Sequence, residues 1–255
     1  MLIVGVASGC GILKEKQDQT KSWSAQRLYD SAKSSLDAGD YVTAIEYYEK
    51  LESRFPFGIF AQQAQLELAY AYYKYVEPAS SLAAADRFIK LYPSHPSIDY
   101  AHYLKGLVNF NRGKGLISGI IERYIPSDDS QRDTSSLREA FDDFAEVVEN
   151  YPNSQYAKDS EQRLNYLRNT LAQHEINVAN YYVKREAYIA AANRAKYVVE
   201  NFQRAPVVAE ALVIMAKCYK ILALDDLSVE ALRVLKLNFP THSGISEVED
   251  LVLIE

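Results

Sequence analysis

The sequence predicts an all-α protein, and three observations carry that prediction. Only 10 Gly and 8 Pro occur among the 255 residues, too few for the many tight turns of a β-sandwich or barrel. Hydrophobic residues make up 48% of the chain, enough to bury a sizeable core, so a disordered chain is excluded. Apolar residues also recur at helical spacing, within a phrase that occurs five times along the chain.

The recurring phrase is a helical stretch that ends in an aromatic residue, usually followed by Pro. Pro56 and Pro93 are 37 positions apart, as are Gln203 and Pro240, which slightly exceeds the tetratricopeptide period of about 34 residues. The two middle intervals are longer and need insertions. The pattern predicts a tetratricopeptide-like solenoid of about five helix pairs, with these endings: Arg54-Phe55-Pro56, Leu91-Tyr92-Pro93, Asn150-Tyr151-Pro152, Asn201-Phe202-Gln203 and Asn238-Phe239-Pro240.

Apolar spacing within the first two repeats predicts short antiparallel helices. In the first repeat, Gly39 separates two helices and is suited to the left-handed conformation that ends a helix. Ala32 and Ala44 fall where the helices must cross closely, because larger side chains would force them apart. Ala69 takes that position in the second repeat. The apolar positions of the first pair are Leu28, Ala32, Leu36, Ala44, Tyr48 and Leu51.

The later repeats follow the same plan with two extensions. Gly106 takes the close-crossing position in the third repeat, and residues 112–134 form an insertion that we expect to be an exposed loop with a short helix at 116–124. The fourth repeat contains a continuous helix from Tyr156 to about Arg185. The predicted buried positions of the second helices and of the last pair are Ala140, Phe144, Val147, Ala191, Ala195, Val198, Ala216 and Cys218.

These assignments divide the chain into segments. We expect repeats 1–3 over residues 24–155, repeats 4 and 5 over residues 156–240, and a tail over residues 241–255.

The first 23 residues have a different character. An apolar run over residues 2–7 is too short to span a bilayer and ends in Ser8-Gly9-Cys10-Gly11, before a polar stretch. This pattern indicates the remnant of a signal peptide over residues 1–9 and resembles a bacterial lipobox, in which the cysteine is acylated. Two features depart from it: no basic residue precedes the run, which suggests an internal or misassigned start, and Ala7 stands where Leu is usual. The alternative is a frayed terminus with a free thiol. We expect a lipid anchor at Cys10 and a linker up to residue 23.

Charge and cysteine content limit the partners. The net charge is −6 and the basic residues are scattered along the chain. The sequence therefore predicts no surface that binds a phosphate backbone, and we do not expect nucleic acid as a partner. Cys10 and Cys218 are the two cysteines, too few for a disulfide scaffold. We expect Cys218 to be a buried small residue without a disulfide.

Catalytic and metal-binding patterns do not stand out. The four histidines are far apart and none lies in a metal-ligand spacing. Gly113-Lys114-Gly115 lacks the upstream Gly and downstream Ser or Thr of a phosphate-binding loop. The sequence therefore predicts no enzyme, no metal and no cofactor, and favours a solenoid whose extended surface binds other chains.

Several strings resemble the BamD (ComL) lipoprotein family of the outer-membrane β-barrel assembly machinery. The resemblance covers roughly residues 24–240, and the strings are not general tetratricopeptide consensus. They include Arg54-Phe55-Pro56-Phe57-Gly58, Ala69-Tyr70-Ala71-Tyr72-Tyr73-Lys74, Ala140-Phe141-Asp142-Asp143-Phe144, Tyr151-Pro152-Asn153-Ser154-Gln155-Tyr156 and Ala192-Asn193-Arg194.

The resemblance implies a lipid-anchored scaffold on the periplasmic face of the outer membrane. Its implied partners are the periplasmic domains of the barrel protein BamA, other lipoproteins of the complex, and unfolded outer-membrane proteins. Gly11 leaves no Asp after the cysteine, which resembles the sorting rule for the outer membrane. Because Asn193 and Arg194 match a family string and Arg194 is a fixed cation, we expect this pair to dock BamA. The alternative is a local pair of Arg194 with Glu200 or Glu186.

First-helix positions of successive repeats suggest a client-binding groove. Outer-membrane proteins commonly end in an aromatic residue with a free carboxylate, so aromatic side chains would hold the ring while Lys33 or Lys74 meets the carboxylate. The alternative is that about half of these aromatics merely pack between repeats. The expected client-binding residues are Tyr29, Lys33, Tyr70, Tyr73, Lys74, Tyr100, Tyr103 and Phe110.

Two other functions stay open at this level. One is a tetratricopeptide lipoprotein that coordinates peptidoglycan synthesis. The other is an enzyme whose helical repeats only position a site.

Overall fold

The computed structural model describes residues 18–114 and 134–251, and this part of the chain contains eleven α-helices and no strand. The predicted all-α, tetratricopeptide-like arrangement is confirmed, with successive helices packed as antiparallel pairs. The helices are α1 (Ala25–Asp37), α2 (Tyr41–Arg54), α3 (Ile59–Lys74), α4 (Pro78–Leu91), α5 (Ile98–Lys114), α6 (Ser135–Asn150), α7 (Ala157–Lys184), α8 (Tyr188–Asn201), α9 (Val208–Ile221), α10 (Asp225–Asn238) and α11 (Gly244–Glu249).

Local sequence determines where the first pair begins. Ser24 caps α1, because its Oγ accepts a hydrogen bond from the Arg27 backbone N–H at 3.2 Å. Asp40 caps α2 in the same way, accepting from the Thr43 N–H at 3.1 Å. The side chains predicted to face the partner helix are all buried, namely Leu28, Ala32, Leu36, Ala44, Tyr48 and Leu51.

One turn recurs between the two helices of four pairs. The second residue after the first helix adopts a left-handed backbone, namely Gly39, Val76, Glu186 and Ala223, with φ of 79°, 65°, 60° and 55°. The N–H of the following residue then bonds back to a carbonyl of the last helical turn, as in Asp40 to Ser35 at 2.9 Å. Only the first of these residues is glycine, so the other three carry the backbone cost of a left-handed conformation.

The recurring aromatic residue closes the second helix of each pair. Phe55, Tyr92, Tyr151, Phe202 and Phe239 each stand at the C-cap and donate their N–H to the carbonyl four residues earlier, at 2.8–3.0 Å. Four of these five residues are followed directly by Pro, which cannot continue a helix. The phrase found in the sequence is therefore a helix-termination signal.

Two buried serines bind the second helix to the first in equivalent pairs. Ser81 Oγ donates to the Ala69 carbonyl at 2.8 Å, and Ser228 Oγ donates to the Ala216 carbonyl at 2.9 Å. Because a small residue stands at each acceptor, the helices approach closely enough for a serine to reach the opposing backbone.

The described chain falls into two compact units that divide within α3. Unit 1 reaches residue 68, and unit 2 begins at residue 69. In unit 2, Gly106 lies against the fully buried ring of Phe144, where an added Cβ would stand 2.7 Å from the nearest ring carbon. The predicted close crossing at Gly106 is therefore confirmed.

The buried positions expected of unit 2 are confirmed, and the tail contains a helix that was not expected. Ala140, Ala191, Ala195 and Cys218 are all buried. Residues 244–249 form α11, which the sequence pattern did not predict. Cys10 and most of the insertion, including the helix expected at 116–124, lie outside the described residues. Within the described ranges, no helix is both long and apolar enough to cross a bilayer.

Candidate functional site

Two of the expected client-binding residues lie in unit 1 and share one carboxylate. The Tyr29 hydroxyl donates to Glu67 Oε1 at 3.0 Å, and the Lys33 ammonium is 3.8 Å from the same oxygen. Lys33 also pairs with Asp37 at 3.0 Å, while Tyr48 donates to the other Glu67 oxygen. Burial and the nearby carboxylate raise the pKa of both tyrosines above the ordinary range. Tyr29 and Lys33 are thus engaged within their own unit.

The end of α3 places Tyr70, Tyr73 and Lys74 in unit 2. The rings of Tyr70 and Tyr73 are 6.4 Å apart, and both pack against the apolar cluster around Ala69 and Leu104 while keeping part of their surface exposed. The Tyr73 hydroxyl accepts a hydrogen bond from Asn111 Nδ2 at 2.7 Å. This contact fixes the ring against α5.

A cavity of about 550 Å³ lies beside Tyr73, between the end of α3, the start of α4 and the last turns of α5. Its wall combines three kinds of side chain. Val76, Pro78 and Val108 form the apolar part, Tyr73 and Asn111 the polar part, and Lys74 and Arg112 the cationic part. The volume is within the range of small-ligand pockets, and the composition suits a group that is apolar at one end and negative at the other.

The first half of α5 engages its aromatic residues with α7. The Tyr103 ring stacks on Tyr156 with centroids 4.7 Å apart, and its hydroxyl donates to Asp159 Oδ2 at 2.7 Å. Burial is the main cause that raises the pKa of Tyr103 to about 12, and the hydrogen bond to Asp159 also contributes to the rise. Tyr100 lies 5.3 Å from the same Tyr156 ring. The two residues form an aromatic cluster with Tyr156 and are not among the residues that line the cavity, although Tyr100 also packs against the apolar cluster around Ala69 and Leu104.

Phe110 does not lie on the surface. Only 6% of it is exposed, and its ring packs 6.4 Å from Phe144 and 5.7 Å from Tyr166, with the Arg163 guanidinium 5.0 Å away. The register of Phe110 on α5 faces the core, so in this structure its ring packs within unit 2. A client contact of Phe110 stays a prediction.

The expected docking pair lies on α8, with both side chains at the surface. Asn193 is exposed, and Arg194 is 47% exposed at its side chain. Arg194 Nη1 donates to Glu175 Oε2 at 3.0 Å, across to α7. In the described part of the chain, Arg194 thus pairs with Glu175 instead of the Glu200 or Glu186 of the alternative, and Glu200 pairs with Lys196 at 3.6 Å.

Glu175 binds a second arginine that sequence reasoning missed. Arg138 on α6 donates from Nη2 to Glu175 Oε1 at 2.7 Å and from Nη1 to the Tyr197 hydroxyl at 3.1 Å. Only 1% of the Glu175 side chain is exposed. A signal was present in the sequence, because Glu175 continues the buried four-residue spacing of Leu167 and Leu171 on α7.

Residues 18–114 and 134–251 contain no group of three or more His, Cys, Asp or Glu side chains arranged to hold a metal ion. What the structure brings together at the surface is a set of aromatic and cationic side chains. Such a set is suited to binding peptide segments and acidic groups.

Comparison with known proteins identifies similar chains along most of the length. The family model described as YfiO, an outer membrane lipoprotein, matches residues 21–234. A protein of Neisseria meningitidis serogroup B is 44% identical over 230 residues, covering 90% of this chain and 85% of its own. One from Xylella fastidiosa is 35% identical over 227 residues, covering 89% and 76%. One from Vibrio cholerae is 33% identical over 238 residues, covering 93% and 96%. All three are named outer membrane protein assembly factor BamD.

Proposed function

This chain belongs to the family of outer membrane lipoproteins that includes the BamD assembly factors, and from that premise we propose that it is a non-enzymatic scaffold of the outer-membrane protein assembly machinery. It binds the periplasmic domains of BamA and receives unfolded outer-membrane proteins before their insertion as β-barrels. The observation that carries the proposal is 44% identity over 230 residues to a protein named for that assembly role.

Purification from solubilised outer membrane tests this role. We expect the tagged chain to retain BamA and other lipoproteins of the assembly complex. Recovery of cell-wall synthases without BamA would instead favour a lipoprotein that coordinates peptidoglycan synthesis, and would contradict the assembly role.

The proposal includes an acyl anchor at Cys10 that holds the chain on the periplasmic face of the outer membrane. An apolar run, small residues and a polar linker all converge on this cysteine. Several acyl chains hold a protein stably on a membrane, since each buried CH₂ contributes about 0.8 kcal/mol. Intact mass of the native protein should include lipid. A Cys10→Ala protein should lose membrane association in extracts washed free of its partners, and undiminished association there would contradict the anchor.

The cavity beside Tyr73 is the proposed site for the end of a client chain. An aromatic ring would pack on Val76 and Val108, while its terminal carboxylate meets Lys74 or Arg112. Tyr73 is held in place by Asn111, so this wall is formed before the client arrives. Lys74 is favoured over Lys33, because Lys74 lines the cavity and Lys33 is not among its lining residues.

Peptide titrations separate the aromatic and ionic contributions. Peptides that end in Phe, with a free or an amidated C-terminus, would be titrated onto the parent protein and onto Lys74→Ala, Tyr70→Ala and Tyr73→Ala. An aromatic contact contributes about 0.5–1.5 kcal/mol beyond burial, so Tyr73→Ala should weaken binding several-fold. Tyr70→Ala should also weaken binding, because the Tyr70 ring lies beside that of Tyr73, with centroids 6.4 Å apart. Lys74→Ala should lower the preference for the free carboxylate, and added salt should do the same to the parent.

Lys33→Ala is the matched control for this site. It removes the same charge in unit 1 and should leave both peptides bound as in the parent. Equal parental affinity for the two peptides would remove the carboxylate role. Unchanged affinity in both tyrosine variants would move the client site elsewhere.

Arg194, with Asn193 beside it, is the proposed contact for BamA, and the contact with Glu175 determines how to test it. Arg194→Glu would place a second carboxylate beside a buried one, so it would lower stability as well as binding. Arg194→Ala removes the cation without that repulsion. It should weaken binding to the BamA periplasmic domains, while Lys196→Ala on the same helix should not. Parental affinity in Arg194→Ala would remove Arg194 from the interface.

A further inference from the structure

An apolar tip projects from unit 1 between α2 and α3. The tip consists of residues 56–59, which are all exposed and carry no charge. Phe57 is 90% exposed and Ile59 is 65% exposed. Gly58 has φ of 102°, and a Cβ added there would find no atom within 4 Å, so the turn extends into open space. The tip therefore presents two large apolar side chains that the fold of unit 1 leaves in solvent.

The end of the linker is held at the same end of α2. Arg54 Nη1 donates to the Thr20 carbonyl at 2.6 Å, and the other terminal nitrogen of Arg54 pairs with Asp18. The Lys50 ammonium, one helical turn earlier, lies 3.4 Å from the Asp18 carboxylate. Thr20 is 4% exposed, and Arg54 precedes Phe57 by three residues. The chain that comes from the proposed anchor thus joins unit 1 close to the apolar tip.

The length of that chain limits the distance between the tip and the bilayer. Asp18 follows Cys10 by eight positions. A fully extended chain spans at most about 3.6 Å per residue, so Asp18 lies within about 29 Å of the acylated residue. Once the anchor is in the membrane, contact between the tip and the lipid surface is intramolecular. A contact that would be weak for a free protein is then well populated.

The composition around the tip fits a lipid surface. Residues 54–60 contain three Phe and one Ile, and no acidic residue that anionic lipids would repel. Exposed aromatic and aliphatic side chains are the ones that enter the boundary between headgroups and acyl chains. Stable attachment to a membrane also commonly combines a lipid chain with a second contact from the protein surface. An anchor with an apolar tip beside it has this form.

We propose that Phe57 and Ile59 insert into the lipid surface beside the acyl anchor and form a second membrane contact of this protein. The linker end at Asp18 and Thr20, held by Arg54, positions the contact and determines which end of α2 faces the bilayer. The inference rests on the proposed acyl anchor at Cys10 and adds an orientation to it.

Tryptophan quenching in vesicles tests the contact. Trp23 is the single tryptophan of the chain, so a Trp23→Phe background allows one reporter to be placed by Phe57→Trp. The acylated full chain would be reconstituted on vesicles of phosphatidylethanolamine and phosphatidylglycerol, with or without bromine on the acyl chains. An inserted side chain lies about 5–10 Å into the boundary, within reach of the bromine atoms. We expect brominated vesicles to lower the emission of Phe57→Trp several-fold.

Val42→Trp in the same background is the matched control. Val42 is an apolar residue that is 55% exposed at the start of α2, whereas Phe57 follows the end of that helix. The 14 residues of α2 place the two positions about 20 Å apart. Emission of Val42→Trp should be the same in both kinds of vesicle. Equal quenching at the two positions would show that the tether holds unit 1 near lipid without orienting it, and would overturn the proposal.

Arg54→Ala tests the role of the linker end. This substitution removes the contacts to Asp18 and Thr20 and leaves the tip itself unchanged. The quenching of Phe57→Trp should then decrease several-fold, because the tether no longer leaves unit 1 beside the tip. Asp18→Asn should act in the same direction, and the helical melting transition shows that each variant is folded. Undiminished quenching in both folded variants would remove the positioning role.

The outcomes distinguish this inference from the anchor on which it rests. A chain without lipid at Cys10, or one that does not stay on vesicles, would overturn the anchor and the tip contact together. An acylated chain that stays on vesicles while Phe57→Trp is not quenched would overturn only the tip contact. Shielding of that reporter only after the BamA periplasmic domains are added would assign the tip to a protein partner and would also overturn the lipid contact.

Discussion

Gly106→Ala perturbs the close crossing of α5 and α6. An alanine Cβ at this position would stand 2.7, 2.8 and 2.9 Å from three carbons of the Phe144 ring, all well inside van der Waals contact. The ring is fully buried, with Tyr103 at 5.9 Å and Phe110 at 6.4 Å, so it has no free space to move into.

The magnitude follows from two opposing contributions. Overpacking a filled core costs about 1–3 kcal/mol, and the confined ring places this site in the upper part of that range. Alanine gains about 1 kcal/mol over glycine in a helix. The net loss should be about 1–2 kcal/mol, which lowers the melting temperature by about 2–8 °C in a protein of this size. Thermal unfolding followed by far-ultraviolet circular dichroism measures it.

A size compensation makes the prediction specific. Phe144→Leu should destabilise the parent but restore part of the stability of Gly106→Ala, because the smaller side chain makes room for the Cβ. Gly39→Ala is the control. It costs stability through a backbone at φ 79° in open surroundings, and Phe144→Leu should not rescue it. A Gly106→Ala protein as stable as the parent would refute the crossing geometry.

Three further perturbations have defined outcomes. Lys105→Met leaves Asp143 without the ammonium that lies 3.3 Å away, and should cost about 3 kcal/mol by denaturant unfolding. Burial already raises the pKa of Asp143, so the loss of unfolding free energy in Lys105→Met should shrink as falling pH protonates that carboxyl. A loss that does not change with pH would contradict this. Cys218 is buried and its pKa is raised to about 11, so in a Cys10→Ala protein at pH 8 its thiol should react with a labelling reagent only at the rate of unfolding. Fast labelling of the native protein would show that the site opens. Ala223→Gly should raise stability by about 1 kcal/mol, since Ala223 has φ 55°, and a loss of stability would show that the turn needs its methyl group.

The sequence predicted the helix pairs because their determinants are local. Leu28, Ala32 and Leu36 repeat within one helix, and all three face the core. The aromatic residue before Pro closes a helix through a hydrogen bond to the residue four positions earlier, so the repeat phrase and its structure occupy the same few residues. Such patterns do not depend on where distant parts of the chain lie.

Other features depend on contacts between distant residues, which a single sequence does not provide. Arg138 and Glu175 are 37 positions apart, so no spacing rule within one helix connects them. Near the end of α5 the spacing of apolar residues does not show which face of the helix Phe110 lies on. Its packing against Phe144 in the structure shows that it is buried. The left-handed turn at Glu186 has no glycine to mark it.

The claim that this chain assembles outer-membrane proteins is tested most directly by depleting it in its own bacterium. The measurement is the amount of folded β-barrel protein in the outer membrane, alongside the rate of peptidoglycan synthesis. The account predicts that folded barrels fall several-fold before peptidoglycan synthesis slows. An early fall in peptidoglycan synthesis with normal levels of folded barrels would contradict it.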